Sequence, residues 1–413
     1  MKSNLCRAIA LAFVLSSAPV LAQETVIRFF GQPEMDFQSR DVKNQFRTID
    51  SDPKVDSLGN ITNPNFGQYV GKDTTYDPRS NFNTGNFVLF VTSQINEKLS
   101  ALGEVSFYNR GNTFSFEVQR LMFRYYVNDY LSVRAGKMFT PIGFWNNQYT
   151  LGLVLQPTIQ RPFVIRTGSE GGVLQFRDAG VQFEGDNITS AKIFYRLMLA
   201  NGNNNFGSND KINNKIAVTG NLGIEPIEGL KVSVSGMFDN FRKGQPNPNG
   251  TIAALPSDGT STLLAASVSH MNPEKKVEFI SEVLYQTSKF NDTAYNTRNS
   301  MGFYVYGGYK LTDKITPYAM FDYAQPGTGT NSIKDTDPFF TPVPVRQQII
   351  TLGVRYKLAS NFVVKLEYER SQTQLYYTTD FAYAQGIPPI VQVRPLTESD
   401  NRNRVRVQFA FAF

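Results

Sequence analysis

Residues 402–413, RNRVRVQFAFAF, alternate without a break between two kinds of side chain. Asn403, Val405, Val407, Phe409, Phe411 and Phe413 share one face, while Arg402, Arg404, Arg406, Gln408, Ala410 and Ala412 share the other. Twofold alternation specifies a β-strand with one apolar and one polar side. Two settings satisfy it. In a soluble sheet the aromatic face meets a core and the arginines are solvated. In a membrane barrel the aromatic face meets lipid and the arginines line a watery interior. There, a one-residue slip would turn Arg402, Arg404 and Arg406 into hydrocarbon at about 2–4 kcal/mol each near the midplane, so the register is strongly fixed.

The pattern recurs upstream. Segments 348–358 and 362–371 put Ile350, Leu352, Val354, Tyr356, Val364, Leu366 and Tyr368 on one face, with Arg355, Lys357, Lys365, Glu367 and Glu369 opposite. Segments 302–311 and 315–323 form a second pair. Further strands are predicted at 25–37, 87–96, 99–109, 114–127, 130–139, 173–185, 190–200, 214–223, 229–240, 262–271 and 276–287, about sixteen in all. Their connections alternate in length. Tight turns at 96–99, 127–130, 186–189, 224–229, 272–275, 311–314 and 358–361 interleave with long segments at 38–86, 140–172, 201–213, 241–261, 288–301, 324–347 and 372–401. The short connection 110–113 is the one exception. A sandwich has no reason to alternate in this way. The expected fold is therefore an all-β transmembrane antiparallel β-barrel with short periplasmic turns and long extracellular loops. Backbone groups in hydrocarbon must all be paired, so 402–413 is expected to lie beside 25–37.

Residues 1–22 read as a cleaved signal peptide: Lys2 and Arg7, a short apolar run at 8–15, then Val20-Leu21-Ala22. Residues 23–413 are then a single outer-membrane barrel domain. The only cysteine, Cys6, leaves with the signal, so the processed chain has no disulfide or thiolate ligand. Formal charge falls from +6 to +4 without Lys2 and Arg7, too mild a balance to indicate a nucleic-acid partner. The chain holds 33 Phe and 20 Tyr yet has a mean hydropathy of −0.29, a mixture that strands with one lipid face produce. No Gly-rich phosphate loop or metal-ligand cluster is visible, and His270, the single histidine, falls beside a tight turn. No catalytic residue, cofactor or metal is expected.

Strand parity turns Arg120, Arg124, Arg134, Arg196, Lys310, Arg355, Lys357, Lys365, Arg402, Arg404 and Arg406 inward, against Glu104, Glu278, Glu282, Asp322, Glu367 and Glu369. An excess of bases would concentrate anions in the lumen. Lumen charges also pair across the wall for solubility, and both readings stand. Lys137 breaks the parity of its strand, as a bulge or a snorkelling side chain would. Segment 140–172 carries Pro141, Trp145, Pro157, Arg161, Pro162 and Arg166 among apolar residues that include Leu151, Leu153, Val154 and Leu155. Folded into the barrel it would bury that surface and present Arg161 and Arg166 to a solute; a place at a subunit interface or over the mouth is the alternative. The pore-lining or constriction candidates are Arg120, Arg124, Arg134, Arg161, Arg166, Arg355, Lys365, Arg404, Arg406, Glu282 and Glu367.

Residues 133–147, VRAGKMFTPIGFWNN, resemble the segment entering the third loop of the phosphate-selective porin O/P family. Residues 195–202, YRLMLANG, and 353–370, GVRYKLASNFVVKLEYER, are similar to strand segments of that family. The resemblance implies a sixteen-stranded, usually trimeric barrel with an inward third loop. Phe413, closing an alternating strand, resembles the signal that the barrel-assembly machinery recognises. The expected function is passive diffusion of small hydrophilic solutes with a preference for anions, phosphate among the candidates, in contact with outer-membrane lipids and lipopolysaccharide. The alternative is a plugged or capped barrel acting as a surface receptor or adhesin, with 38–86 as the cap.

Overall fold

The computed structural model describes residues 24–31, 34–43, 45–49, 69–73, 76–83, 85–110, 113–149, 156–166, 172, 174, 176–202, 215–243, 257–271, 274, 276–292, 297–325, 344–377 and 396–413. The expected signal peptide, and Leu151, Leu153, Val154 and Leu155, lie outside them. The chain begins with β1 (Glu24–Gly31), β2 (Glu34–Lys43), β3 (Gln45–Ile49), β4 (Tyr69–Asp73), β5 (Tyr76–Asn83) and β6 (Asn86–Gln94). There follow β7 (Leu99–Arg110), β8 (Thr113–Asn128), β9 (Leu131–Phe139), β10 (Arg177–Ile188), β11 (Ile193–Ala200), β12 (Ala217–Ile227) and β13 (Leu230–Phe241). The last group is β14 (Gly259–His270), β15 (Val277–Phe290), β16 (Arg298–Tyr309), β17 (Ile315–Gln325), β18 (Pro344–Ala359), β19 (Phe362–Tyr377) and β20 (Leu396–Ala412).

Eighteen of these strands form one antiparallel sheet, and β3 pairs with β4 alone. From β6 to β20 each strand pairs with the next in sequence. On one side β1 pairs with β6, and on the other it meets β20 at Phe30–Ala412 and Gly31–Phe411. Beyond Pro33 the same path resumes as β2, which runs along β20 from Glu34–Gln408 to Lys43–Ser399 and along β5 on its far side. The first and last strands are therefore neighbours, as the cost of unpaired backbone requires. Counted as single interrupted paths, β1 with β2 and β5 with β6 leave about sixteen strands around the sheet.

Several boundaries are corrected: β18 begins at Pro344 inside the expected connection 324–347, and β19 runs to Tyr377 and β20 starts at Leu396 inside the expected connection 372–401. Segment 38–86 was expected to be connection, cap or plug throughout; it contains the upper part of β2, all of β5 and the β3–β4 hairpin. Residues 38–43 carry no apolar alternation, and in β5 only Tyr76 and Phe82 stand out as large apolar residues on one face, so the periodicity that marks a strand is weak there. Pairing to the long neighbour β20 sets the length of β2 instead.

Burial alternates as the sequence alternates. On β15, Glu278, Ile280, Glu282, Leu284, Gln286 and Ser288 are buried on the inner face, while Val277, Val283 and Tyr285 are exposed on the outer. A register shift where Glu104 faces Arg120 and Val105 faces Val118 puts Gln119 and Arg120 between two exposed residues, Val118 and Leu121. This bulge is how one strand carries outward Phe116 and Val118 and outward Leu121, Phe123 and Tyr125 at opposite parities. On the neighbouring strand, Lys137 follows Gly136, whose φ is +129°, and its Nζ lies 3.8 Å from Glu117.

A Cβ at Gly136 would meet the Leu121 carbonyl oxygen and come within 2.8 Å of the Met122 Cα, in a backbone region that side chains avoid. Gly136→Ala is expected to cost about 1–3 kcal/mol. The replacement Gly307→Ala, where nothing lies within 4 Å, is expected to be tolerated. Urea titration of the two variants in lipid vesicles, read by the gel mobility of folded and unfolded chains, checks the contrast.

Candidate functional site

Between β9 and β10 the chain leaves the wall and returns, tied at its neck by Thr140 N–H donating to Phe176 O at 3.0 Å. The Asn146 amide strengthens the neck, donating to Thr140 O at 2.8 Å and Phe176 O at 3.2 Å. Some of the loop's N–H groups bond within it, as Tyr149 N–H does to Trp145 O at 2.8 Å, and others need partners outside it. The wall supplies them. Glu282 on β15 accepts from Phe144 N–H at 2.9 Å and from Trp145 N–H at 2.8 Å, and the Tyr304 hydroxyl donates to the same carboxylate. Ser235 on β13 accepts from Gly143 N–H at 3.0 Å. Glu367 on β19 accepts from Ile159 N–H at 2.6 Å and from the Tyr318 hydroxyl at 2.8 Å. Asp322 on β17 accepts from Phe163 N–H.

Cations complete the clamp by meeting loop carbonyls. Lys365 Nζ donates to Thr158 O at 3.2 Å. Arg355 Nη2 donates to both carboxylate oxygens of Glu278, at 2.7 and 2.8 Å, and Nη1 reaches Pro157 O at 3.4 Å. Arg406 is fully buried and meets Glu367 at 3.5 Å, with Glu369 closer still. Gly143 has φ +66° and any Cβ there would strike the Glu282 carboxylate, so glycine is required at that position.

Apolar packing adds to the polar clamp. Ile142, Trp145 in the short helix α1 (Trp145–Gln148), Phe163, Val164 and Ile165 join a buried cluster with Leu263, Ile280, Leu284, Tyr304, Tyr306 and Tyr318 of the wall. The Trp145 ring meets Tyr304 edge-on at 5.6 Å. Burial, with Glu278 nearby, pushes the Tyr149 hydroxyl up from its ordinary pKa. The loop thus lies on the inner face of the β13–β19 half of the sheet.

The facing half is charged and less crowded. Glu184 on β10 is buried and lies 2.8 Å from Arg134, 3.2 Å from Arg124 and 3.9 Å from Arg196. Arg196 also meets Asp186 at 3.2 Å. Three guanidiniums to two carboxylates leave this cluster positive, and the Arg124 side chain is 43% exposed. A cavity of about 320 Å³ opens beside it, lined by Arg124, Arg134, Ser93, Gln94 and Ser100. Arg120 pairs with Glu104 at 3.0 Å and lies 4.7 Å from the Phe139 ring. Arg177 pairs with Glu117 at 2.8 Å and covers Phe176 at 4.2 Å; Arg161 of the loop approaches the same ring at 5.3 Å. Arg166 Nε donates to Arg161 O at 3.0 Å.

The candidates therefore fall into three groups. Arg355, Lys365, Arg406, Glu282 and Glu367 hold the loop, Arg120, Arg124 and Arg134 line the opposite wall, and Arg161 and Arg166 sit on the loop. Arg404 is half-buried, in register between Glu369 and Gln38. Sequence parity missed Glu184, Asp178 and Asp239, all buried, together with Arg177 and its partner Glu117. The inward acids are more numerous than expected, and most inward arginines have one as a neighbour. Gln182 and Glu184 alternating with Val181 and Phe183 was the available signal for the central hub.

No protein-family model matches the chain, and no curated protein sequence matches it. Solved structures do. OmpT in its trimer form, an outer membrane protein of Vibrio cholerae, superposes with a TM-score of 0.55 at 15% identity, covering 95% of this chain and 100% of that one. The outer membrane channel DcaP of Acinetobacter baumannii gives 0.56 at 13%, covering 94% and 97%. An anion-selective porin from Comamonas acidovorans gives 0.57 at 12%, covering 94% and 100%. Likeness over nearly whole chains establishes the porin type of outer-membrane β-barrel fold. It does not extend to the O/P family that the sequence motifs resemble.

Glu282→Ala would leave two loop N–H groups and a tyrosine hydroxyl without their acceptor, at about 1–3 kcal/mol for each buried orphan. Trp145, the single tryptophan, is fully buried against that carboxylate's partners, so its emission reports on the loop. A shift of the emission maximum to longer wavelength is expected in the variant, with the strand signal in circular dichroism retained.

Proposed function

We propose that the chain is an outer-membrane porin through which small hydrophilic solutes diffuse passively, anions in preference to cations. The observation that carries this reading is the division of the interior: a loop clamped to one half of the wall, facing a second half where Arg124 and its neighbours stay partly solvated. A receptor or a rigid structural barrel has no need of a clamped inner loop opposite a positive, wet wall. Arg161 and Arg166 on the loop, with Arg120, Arg124 and Arg134 across from them, are the residues proposed to meet the permeant anion.

Membrane placement is supported by the outer face. Leu121, Phe123, Leu222, Val234, Leu264, Leu352 and Leu366 are each exposed on it, part of an apolar surface far larger than a soluble protein tolerates. Residues 1–22 are proposed as the export signal, Phe413 as the contact for the assembly machinery, and the tight turns as the periplasmic end. The trimer form of OmpT and the anion selectivity of the Comamonas porin come to this chain as expectations: a homotrimer, and passage of anions, phosphate among them by the O/P resemblance.

Planar bilayer recording tests the reading. Stepwise conductance with anion over cation permeability above one is expected from the wild type. The double variant Arg161→Ala, Arg166→Ala is expected to lower that ratio at least twofold. Silence, or a ratio the double variant leaves untouched, would count against the proposal.

A further inference from the structure

Two arginines break the apolar outer wall at the long-loop end. Alternation from Ile350, Leu352 and Val354 turns Arg346 and Gln348 outward on β18, and alternation from Leu366 and Tyr368 turns Arg370 and Gln372 outward on β19; both arginines are exposed. Arg346 lies 5.5 Å from the Tyr323 ring, which stacks on Phe303 at 5.5 Å. Just below Arg370, the Tyr368 hydroxyl donates to Asn403 at 2.8 Å. The strand neighbours of Arg370 are Ile350 and Asn403, and that of Arg346 is Gln374, so among the described residues no carboxylate is paired in register with either.

Charge on a lipid face is costly. An arginine there costs about 2–4 kcal/mol at the midplane and about 0–1 near the interface. Two of them at one end of the apolar band, Arg346 over the Tyr323 ring and Arg370 two residues beyond Tyr368, mark the level where anionic headgroups begin. Gln374, opposite Arg346, is four residues from Arg370 along β19, so the two arginines stand about 14 Å apart at roughly 3.4 Å per residue.

We infer that this face of β17–β19 binds a phosphorylated glycolipid of the outer leaflet, one whose diglucosamine head carries two phosphates. Each guanidinium takes one phosphate as a paired donor. Tyr323 and Tyr368 border the sugar, and the acyl chains lie along Phe321, Ile350 and Leu352. The inference rests on the outer-membrane reading but not on conduction.

The test is native mass spectrometry of the folded protein in detergent, titrated with bis-phosphorylated lipid A. Retention is expected for the wild type, and the double variant Arg346→Ala, Arg370→Ala is expected to weaken it at least tenfold. On the wild type itself, lipid A stripped of both phosphates is expected to bind as weakly as the variant binds the intact lipid, a comparison that needs no mutant. Lys289→Ala removes an exposed cation at the same end of β15 and is expected to bind like the wild type. Equal retention by the double variant, equal binding of the stripped lipid, equal loss with Lys289→Ala, or equal binding of phosphatidylglycerol would each overturn the inference. A protein that binds lipid A through the two arginines yet is silent in bilayers would sink the porin reading and leave this one standing.

Discussion

The structure depends on one demand of the backbone: a long antiparallel sheet has two edges, and each exposes a row of N–H and C=O groups that must find partners. Here β20 lies against β1 and β2, so the last strand serves the first. Once the ends of the sheet meet, side chains sort by position alone. One set faces out and is apolar; the alternate set faces an enclosed space. With about sixteen strands that space is too wide for side chains to fill, so it holds water, a folded segment or both.

The inner loop is the segment, and its chemistry follows from the same demand. A loop taken away from bulk solvent brings unpaired amide groups with it. Carboxylates suit them because each offers several acceptor sites, as Glu282 does to two amides and a hydroxyl. Burying those charges carries a desolvation cost, which Arg406 and Lys365 offset at Glu367, while Arg161 and Arg166 of the loop face Glu282 and Asp322. Most of the charge on this half is therefore structural. It fixes the loop and is used up in doing so.

Strand content was legible because its code is local. Alternation and turn length placed the path of the sheet to within a few residues, and the pairing of 402–413 with the first strand followed from backbone cost. What escaped was of two kinds. Strand extensions such as β5 and the upper part of β2 carry polar sequence, and only the neighbouring strand makes them strands. Contacts between inward residues depend on the register between neighbouring strands and on how the loop folds inward, and no periodicity encodes either. Arg124, Arg134 and Arg196 were each readable as inward, but their convergence on Glu184 follows from the register of four successive strands, β8 to β11. The bulge at Gln119 shows the limit from the other side, since it reverses parity within β8 and a strict alternation would have misplaced half of that strand.

These two kinds of charge bear differently on selectivity. A count of inward bases against acids treats Arg406 and Arg124 alike. Arg406 is fully buried between two glutamates and its field is largely cancelled before it reaches the lumen, whereas Arg124 is part of a cluster with more guanidiniums than carboxylates and keeps contact with water. In the proposed porin, an ion in the lumen would respond to the second and hardly to the first, because screening by a partner at under 4 Å leaves only a weak dipole at longer range. Whatever preference the lumen has must then come from its imperfectly paired arginines, few in number and gathered on β8 to β11 and on the facing loop. In the proposed porin, selectivity set by so few residues is easily altered without touching the barrel, since the arginines proposed to meet the solute are not the ones that clamp the loop to the wall.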